Sequence, residues 1–169
     1  ASHTSEVLLK VLLKHFYNLE PLYIPTQPRP VLKDMDAALV IGNDAMALSS
    51  EPIPYIYDLG DLWLRKTGFP VVFAVFVVRE SVVEKYSSQI KSVISSYHNS
   101  LCCLEEEKEY VVSKARAKYP DIIYDINSYF DLLQFKFDDK LKNALMFYYT
   151  VAGEMGLLKK VTKLNYLDR

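Results

Sequence analysis

A chain of 169 residues and 19.5 kDa has room for one ordinary domain or two small lobes, which excludes a large multidomain machine. Half of its residues are hydrophobic and 24% are charged, the balance of a compact globular protein and not of a disordered one. With 20 Lys and Arg against 21 Asp and Glu the net charge is -1, which argues against a broad nucleic-acid footprint, because neutralising phosphates takes a basic excess on one face.

In chain order, Val7, Leu8, Val11, Leu12 and Phe16 recur at helical spacing, with Lys10 and Lys14 on the other side, so a helix is expected from Ser5, capped by Thr4 or Ser5. Pro21, Pro25, Pro28 and Pro30 then deny both helix and central strand, and the stretch 20–30 must run extended. Residues 37–41 are a short apolar run ended by Gly42, the pattern of a buried strand, and a second short strand is expected at 55–57, after Pro52 and Pro54. Asp58 caps a helix through Leu62, Trp63 and Arg65 that stops at Gly68. The run 69–78 is β-branched or aromatic at nearly every position without alternation, so it reads as a central strand covered on both faces.

Beyond Glu80 the pattern turns helical. Ser81 with Glu84 forms a capping box ahead of an apolar stripe from Val82 to Tyr97, and the step at His98, Asn99 and Ser100 is expected to break that helix. A second helix carries Leu101, Leu104, Val111 and Val112, with Glu105, Glu106 and Glu107 on a solvated face; helices over 121–133 and 139–155 follow, the last stopped by Gly156. The expected class is therefore α/β: a ligand-binding lobe with a mixed, largely parallel sheet over 1–78, then a helical segment over 79–169.

Cys102 and Cys103 are adjacent, so they neither bridge readily nor offer a spaced ligand set. Three scattered histidines form no metal constellation. No charged-then-apolar leader is present and no apolar run exceeds 71–78, so the chain reads as soluble, reduced and cytoplasmic, with no membrane partner. It begins at Ala1 rather than Met, which fits a fragment.

Chemistry-bearing residues concentrate at three places. Ser2, His3, Thr4 and Ser5 crowd a helix start, where unpaired N–H groups and the positive dipole end attract an anion and hydroxyls add donors; plain N-capping is the alternative, and His3 either moves a proton or faces solvent. Gly42, Asn43 and Asp44 follow an expected strand, where open α/β sheets place ligand contacts, although the spacing favours the simpler reading that Asn43 or Asp44 caps a short helix over 45–48. Thr67 either orients a ligand at the sheet edge or satisfies a helix C-terminus. There is no Gly-rich phosphate loop, no nucleophile elbow and no zinc-type spacing, so spacing alone names no reaction.

Three segments in order carry a family resemblance: Ser2-His3-Thr4-Ser5 leading into 8–13; Asp36-Ala-Ala-Leu-Val-Ile-Gly-Asn-Asp-Ala45; and Tyr57-Asp-Leu-Gly-Asp-Leu-Trp63 running on to Thr67-Gly-Phe-Pro-Val-Val-Phe-Ala74. Together with 129–158 they resemble the chorismate dehydratase family of the futalosine route to menaquinone. The resemblance implies a fold similar to type II periplasmic binding proteins, two α/β lobes with a ligand in the cleft between them. It further implies that Thr4 and Ser5 grip a substrate carboxylate, that Gly42 and Asn43 lie near the cleft, and that 67–74 forms its floor and returning strand. The implied reaction is loss of water from chorismate to give 3-[(1-carboxyvinyl)oxy]benzoate, with no cofactor required and no base assigned beyond the weak candidates His3 and Asp44.

Family members begin with a substantial part of the first lobe, whereas the match here starts where the second begins. The expectation is that the other cleft wall comes from a separate chain, an unrecorded segment or a homo-oligomer, or that this piece alone has weakened activity or none. Two alternatives share the same features: the sister enzyme that yields a dihydroxynaphthoate, and a non-catalytic solute-binding protein for a small carboxylate.

Overall fold

The structure is a computed structural model that describes residues 2–27, 30, 32, 35–47 and 53–167. Pro28, Leu48 and Pro52, which figure in the expectations above, lie outside the described residues. The described residues fall into two compact units, one drawn from 1–73 and 137–169 and the other from 74–136.

In the first unit, α1 (His3–Val11) continues directly into a π-helical turn, Leu12–Phe16, that ends at Tyr17 before Asn18 takes a positive φ of 53°. Val7, Leu8, Val11 and Leu12 share one face of this rod and are buried. Against that face pack Trp63 of α3 (Leu59–Thr67) and Tyr148, Val151 and Ala152 of α8 (Asp139–Glu154), forming one cluster. Phe16 and Phe147 flank the Trp63 indole at ring-centroid distances of 6.0 and 5.8 Å. Each fully buried aliphatic side chain in such a cluster contributes about 1.5–3 kcal/mol relative to an exposed one, so this packing holds the three helices together.

Local signals end these helices where the sequence places them. Asp58 accepts from the Asp61 N–H (2.8 Å) to start α3, and Gly68, at φ 73°, ends it by donating to the Leu64 carbonyl (2.8 Å). Asp138 caps α8, and at its end Gly156 (φ 71°) donates to Gly153 O while Leu157 donates to Ala152 O, the paired bonds of a Schellman ending. The proline-bearing stretch 19–27 lies outside any helix and is exposed, tied to the π-helical turn by the Lys14–Glu20 ion pair (2.6 Å) and to α1 by Lys10 lying 5.0 Å over the Tyr23 ring.

The second unit holds α4 (Glu80–Val83), α5 (Ser87–Glu106), α6 (Lys108–Lys118) and α7 (Ile126–Leu132), with Val112 and Ile126 buried. Ion pairs Lys108–Asp131 and Arg116–Asp125 (3.0 Å) tie α6 to the α7 region, and the Tyr97 hydroxyl donates to Phe135 O (2.9 Å). The expected break at His98 to Ser100 does not occur. None of those residues is Gly or Pro, their intrinsic helix cost is a few tenths of a kcal/mol each, and α5 runs through to break at Glu107. Nor does Ser81 cap a helix: α4 begins at Glu80 without a side-chain cap and ends after one turn.

The α/β expectation is overturned. Among the described residues there is no strand and no sheet, so the periplasmic-binding-protein type II-like lobe with a mixed, largely parallel sheet is not what these residues build; they form helices joined by irregular connectors. The runs 37–41, 55–57 and 69–78 lie outside any helix, and β-propensity makes a strand only where a neighbouring strand takes up its N–H and C=O groups. No such neighbour exists among the described residues. Both-face burial of 69–78 fails with it: Phe76 and Val77 are 83% and 87% exposed.

Candidate functional site

The start of α1 is the part of the molecule where the candidate residues come together. Ser2 is extended (φ −81°, ψ 114°) and is the N-cap in place of the expected Thr4 or Ser5, so the helix already begins at His3. Its hydroxyl oxygen accepts from the Ser5 N–H (3.3 Å) and from the Ser5 hydroxyl (3.1 Å), and its carbonyl accepts from the Glu6 N–H (3.1 Å). Two of the first N–H groups and both serine side chains are thereby committed to the cap. The N–H groups of His3 and Thr4, the Thr4 hydroxyl and the proton of the Ser2 hydroxyl, which only accepts in these bonds, are the donors that remain at the positive end of the dipole.

Thr4 is half-buried, and its hydroxyl has no hydrogen-bond partner among the described residues; His3 beside it is exposed. Glu6 would oppose an anion here. Its carboxylate is paired with Lys10 at 2.5 Å, and that hydrogen bond holds it below the usual carboxylate range. Behind the turn, Val7 and Leu8 enter the core, and the Tyr148 hydroxyl donates to the Thr4 carbonyl (3.4 Å).

The other candidates stand apart. Gly42, Asn43 and Asp44 form the first turn of α2 (Gly42–Ala47), three residues earlier than the expected helix over 45–48. Gly42 has φ 61° with open space where a Cβ would be, so glycine there serves the backbone conformation. Gly42 and Asn43 are exposed and Asp44 is half-buried. Among the described residues α2 packs on no other helix, so these three are not brought to the α1 start. The Thr67 hydroxyl donates to Trp63 O (2.8 Å) and accepts from the Phe69 N–H (3.0 Å), closing the turn after α3.

Two open concavities are lined elsewhere. One, of about 330 Å³ in the second unit, lies between Arg116 and Ile126; the other, of about 510 Å³ in the first unit, lies beside Lys142, Asn143 and Thr162. Neither includes a candidate residue. No group of three or more His, Cys, Asp or Glu side chains suited to a metal ion occurs among the described residues, and none of their helices is long and apolar enough to cross a membrane.

Residues 1–154 match the family model described as menaquinone biosynthesis. The chain belongs to this family. The match agrees with the resemblance carried by the segments around Ser2, Asp36 and Tyr57, and it extends to the end of α8. No solved structure matches the chain.

Sequence reading missed Tyr148 as a neighbour of this site. It is buried on α8 with Leu141, Leu145 and Val151, and the helical pattern over 139–155 says nothing about a carbonyl 144 residues away. The Glu6–Lys10 pair was visible in principle, since Glu four residues ahead of Lys is the favourable helical order.

Proposed function

We propose that this chain supplies the carboxylate-binding part of a chorismate dehydratase. The reaction removes a proton from a ring carbon; the electrons of that C–H bond become a ring double bond as the neighbouring C–O bond breaks, and the hydroxyl departs as water after taking up a proton. The product, 3-[(1-carboxyvinyl)oxy]benzoate, is aromatic, which drives the elimination. The observation that carries the reading is the α1 start, where Thr4 keeps its N–H and hydroxyl uncommitted while Ser2 and Ser5 hold the turn in shape. Membership of a menaquinone biosynthesis family makes a substrate of that pathway the natural ligand.

The roles then divide by position. Thr4, with the N–H groups of His3 and Thr4, binds a substrate carboxylate; Ser2 and Ser5 shape the turn. His3, next to the gripping residue and exposed, is the better placed of the two proton-transfer candidates, and Asp44 on α2 is the other. Gly42 and Asn43 stand apart from the α1 start and the Thr67 hydroxyl closes the turn after α3, so none of the three is given a contact with the carboxylate. General acid–base help of this kind is worth about 10²–10⁴-fold in rate.

The test is incubation of the purified protein with chorismate, following the aromatic product by absorbance and by a mass lower by one water. Product formation abolished by Thr4→Val and weakened by His3→Gln is the expected result. Saturable binding without turnover supports a non-catalytic binder instead. Turnover of a cyclic futalosine, with none of chorismate, assigns the chain to the sister reaction.

A further inference from the structure

Thr4 is held from two directions. Val7 and Leu8, one turn further along α1, are buried in the core and fix the height of the first turn by packing, which is not directional. The Tyr148 hydroxyl adds a directional contact, donating to the Thr4 carbonyl at 3.4 Å across 144 residues of sequence. A carbonyl in an α-helix points toward the C-terminal end, away from the N–H groups that meet a ligand, so this bond restrains Thr4 from behind without using a ligand-facing donor. Tyr148 is itself rigidly placed: it is buried, its ring meets Trp63 at 5.8 Å, and α8 runs on through Val151 and Ala152 in the same cluster.

We propose that Tyr148 is a positioning residue for anion binding at the α1 start, holding through its hydroxyl the Thr4 carbonyl and with it the backbone from which the Thr4 side chain projects. The inference rests on the reading of that start as the carboxylate grip. Burial keeps the phenol protonated, and so a donor, throughout the neutral range. The packing around the ring survives loss of the hydroxyl, which separates this role from a purely structural one.

The experiment measures chorismate binding by calorimetry and turnover by product formation for the wild-type chain, Tyr148→Phe and Val151→Ala. With Tyr148→Phe the Kd and KM rise roughly threefold to tenfold, the range of one modest hydrogen bond, while kcat stays within about twofold because binding and transition state lose the contact equally. Val151→Ala loosens the same core and lowers Tm but leaves Kd and KM unchanged. Wild-type binding with an unaltered Kd in Tyr148→Phe overturns the positioning role and leaves the grip standing. An equal rise in Val151→Ala, measured where both variants are folded, also overturns it, by making the effect one of general packing. Absence of chorismate binding in the wild type overturns the grip and this inference together.

Discussion

The indole of Trp63 and the phenol of Tyr148 meet edge to face, with centroids 5.8 Å apart and planes at 75°. With the Trp63–Phe147 pair, this contact joins α3 to α8, and Trp63 and Tyr148 belong to one cluster with the buried face of α1. Trp63 is the single tryptophan of the chain, 1% exposed, and it touches Phe16, Phe147 and Tyr148.

Trp63→Ala therefore removes the hub of the first unit. A cost of about 3–5 kcal/mol is expected, against about 0.5 kcal/mol or less for Leu64→Ala, whose side chain is exposed on the same helix. Urea unfolding followed by circular dichroism separates the two. Equal midpoints for both variants would remove Trp63 from the centre of the core.

Gly68 and Gly156 carry a different kind of constraint. Each sits in left-handed backbone, at φ 73° and 71°, with nothing within 4 Å of a built Cβ, so replacement by alanine meets no clash and the cost is conformational. Gly68→Ala and Gly156→Ala should each cost about 1–2 kcal/mol, and Asn at either position less, since Asn tolerates this region better. Thermal melts of the four variants check the order; alanine no worse than asparagine would mean that these turns relax to another ending.

What the sequence made legible was local. Asp58, Gly68 and Gly156 act within a few residues of themselves, and the helix limits they implied are the observed ones. The run at 69–78 misled because its composition describes a preference for neighbours that only tertiary structure can supply. At the helix start the residue types marked the place, but Ser2 and Thr4 look alike as donors in sequence. Only coordinates show one hydroxyl closed into the cap and the other left outside it. The Tyr148 contact, formed between the two ends of the chain, had no local signal.

Burial pushes the Tyr148 phenol from 10.0 up to about 12, with neighbouring Tyr149 adding to the shift. The folded state thus keeps a proton that the unfolded chain releases near its ordinary value. The stabilisation is fully present below pH 10, falls as pH rises from there, and is gone above about 12. Denaturation midpoints taken from pH 8 upward should drop more steeply for wild type than for Tyr148→Phe, so that the gap between them closes with pH. Parallel curves would show that the phenol is hydrated in the folded protein.

Asp125 shows the opposite sign at the start of α7. Its carboxylate accepts from the Ser128 hydroxyl (2.7 Å) and N–H (3.0 Å), then from Arg116 (3.0 Å) and the Asn127 N–H (3.4 Å), and these bonds pull it from 3.8 down to about 2, the Ser128 hydroxyl first among them. A depressed carboxylate stabilises the folded form above the ordinary value, and that contribution is lost as pH falls through about 2. Carbon-13 titration of the side chain should place its midpoint well below those of other aspartates. Ser128→Ala should raise it more than Arg116→Gln does, because the serine supplies the largest share. Asp125→Asn keeps a cap of similar quality but loses the acid-dependent part, so α7 in that variant should hold its helicity evenly as the pH is lowered. A midpoint near 3.8 in the wild type would mean that the carboxylate is free in water and that α7 starts without it.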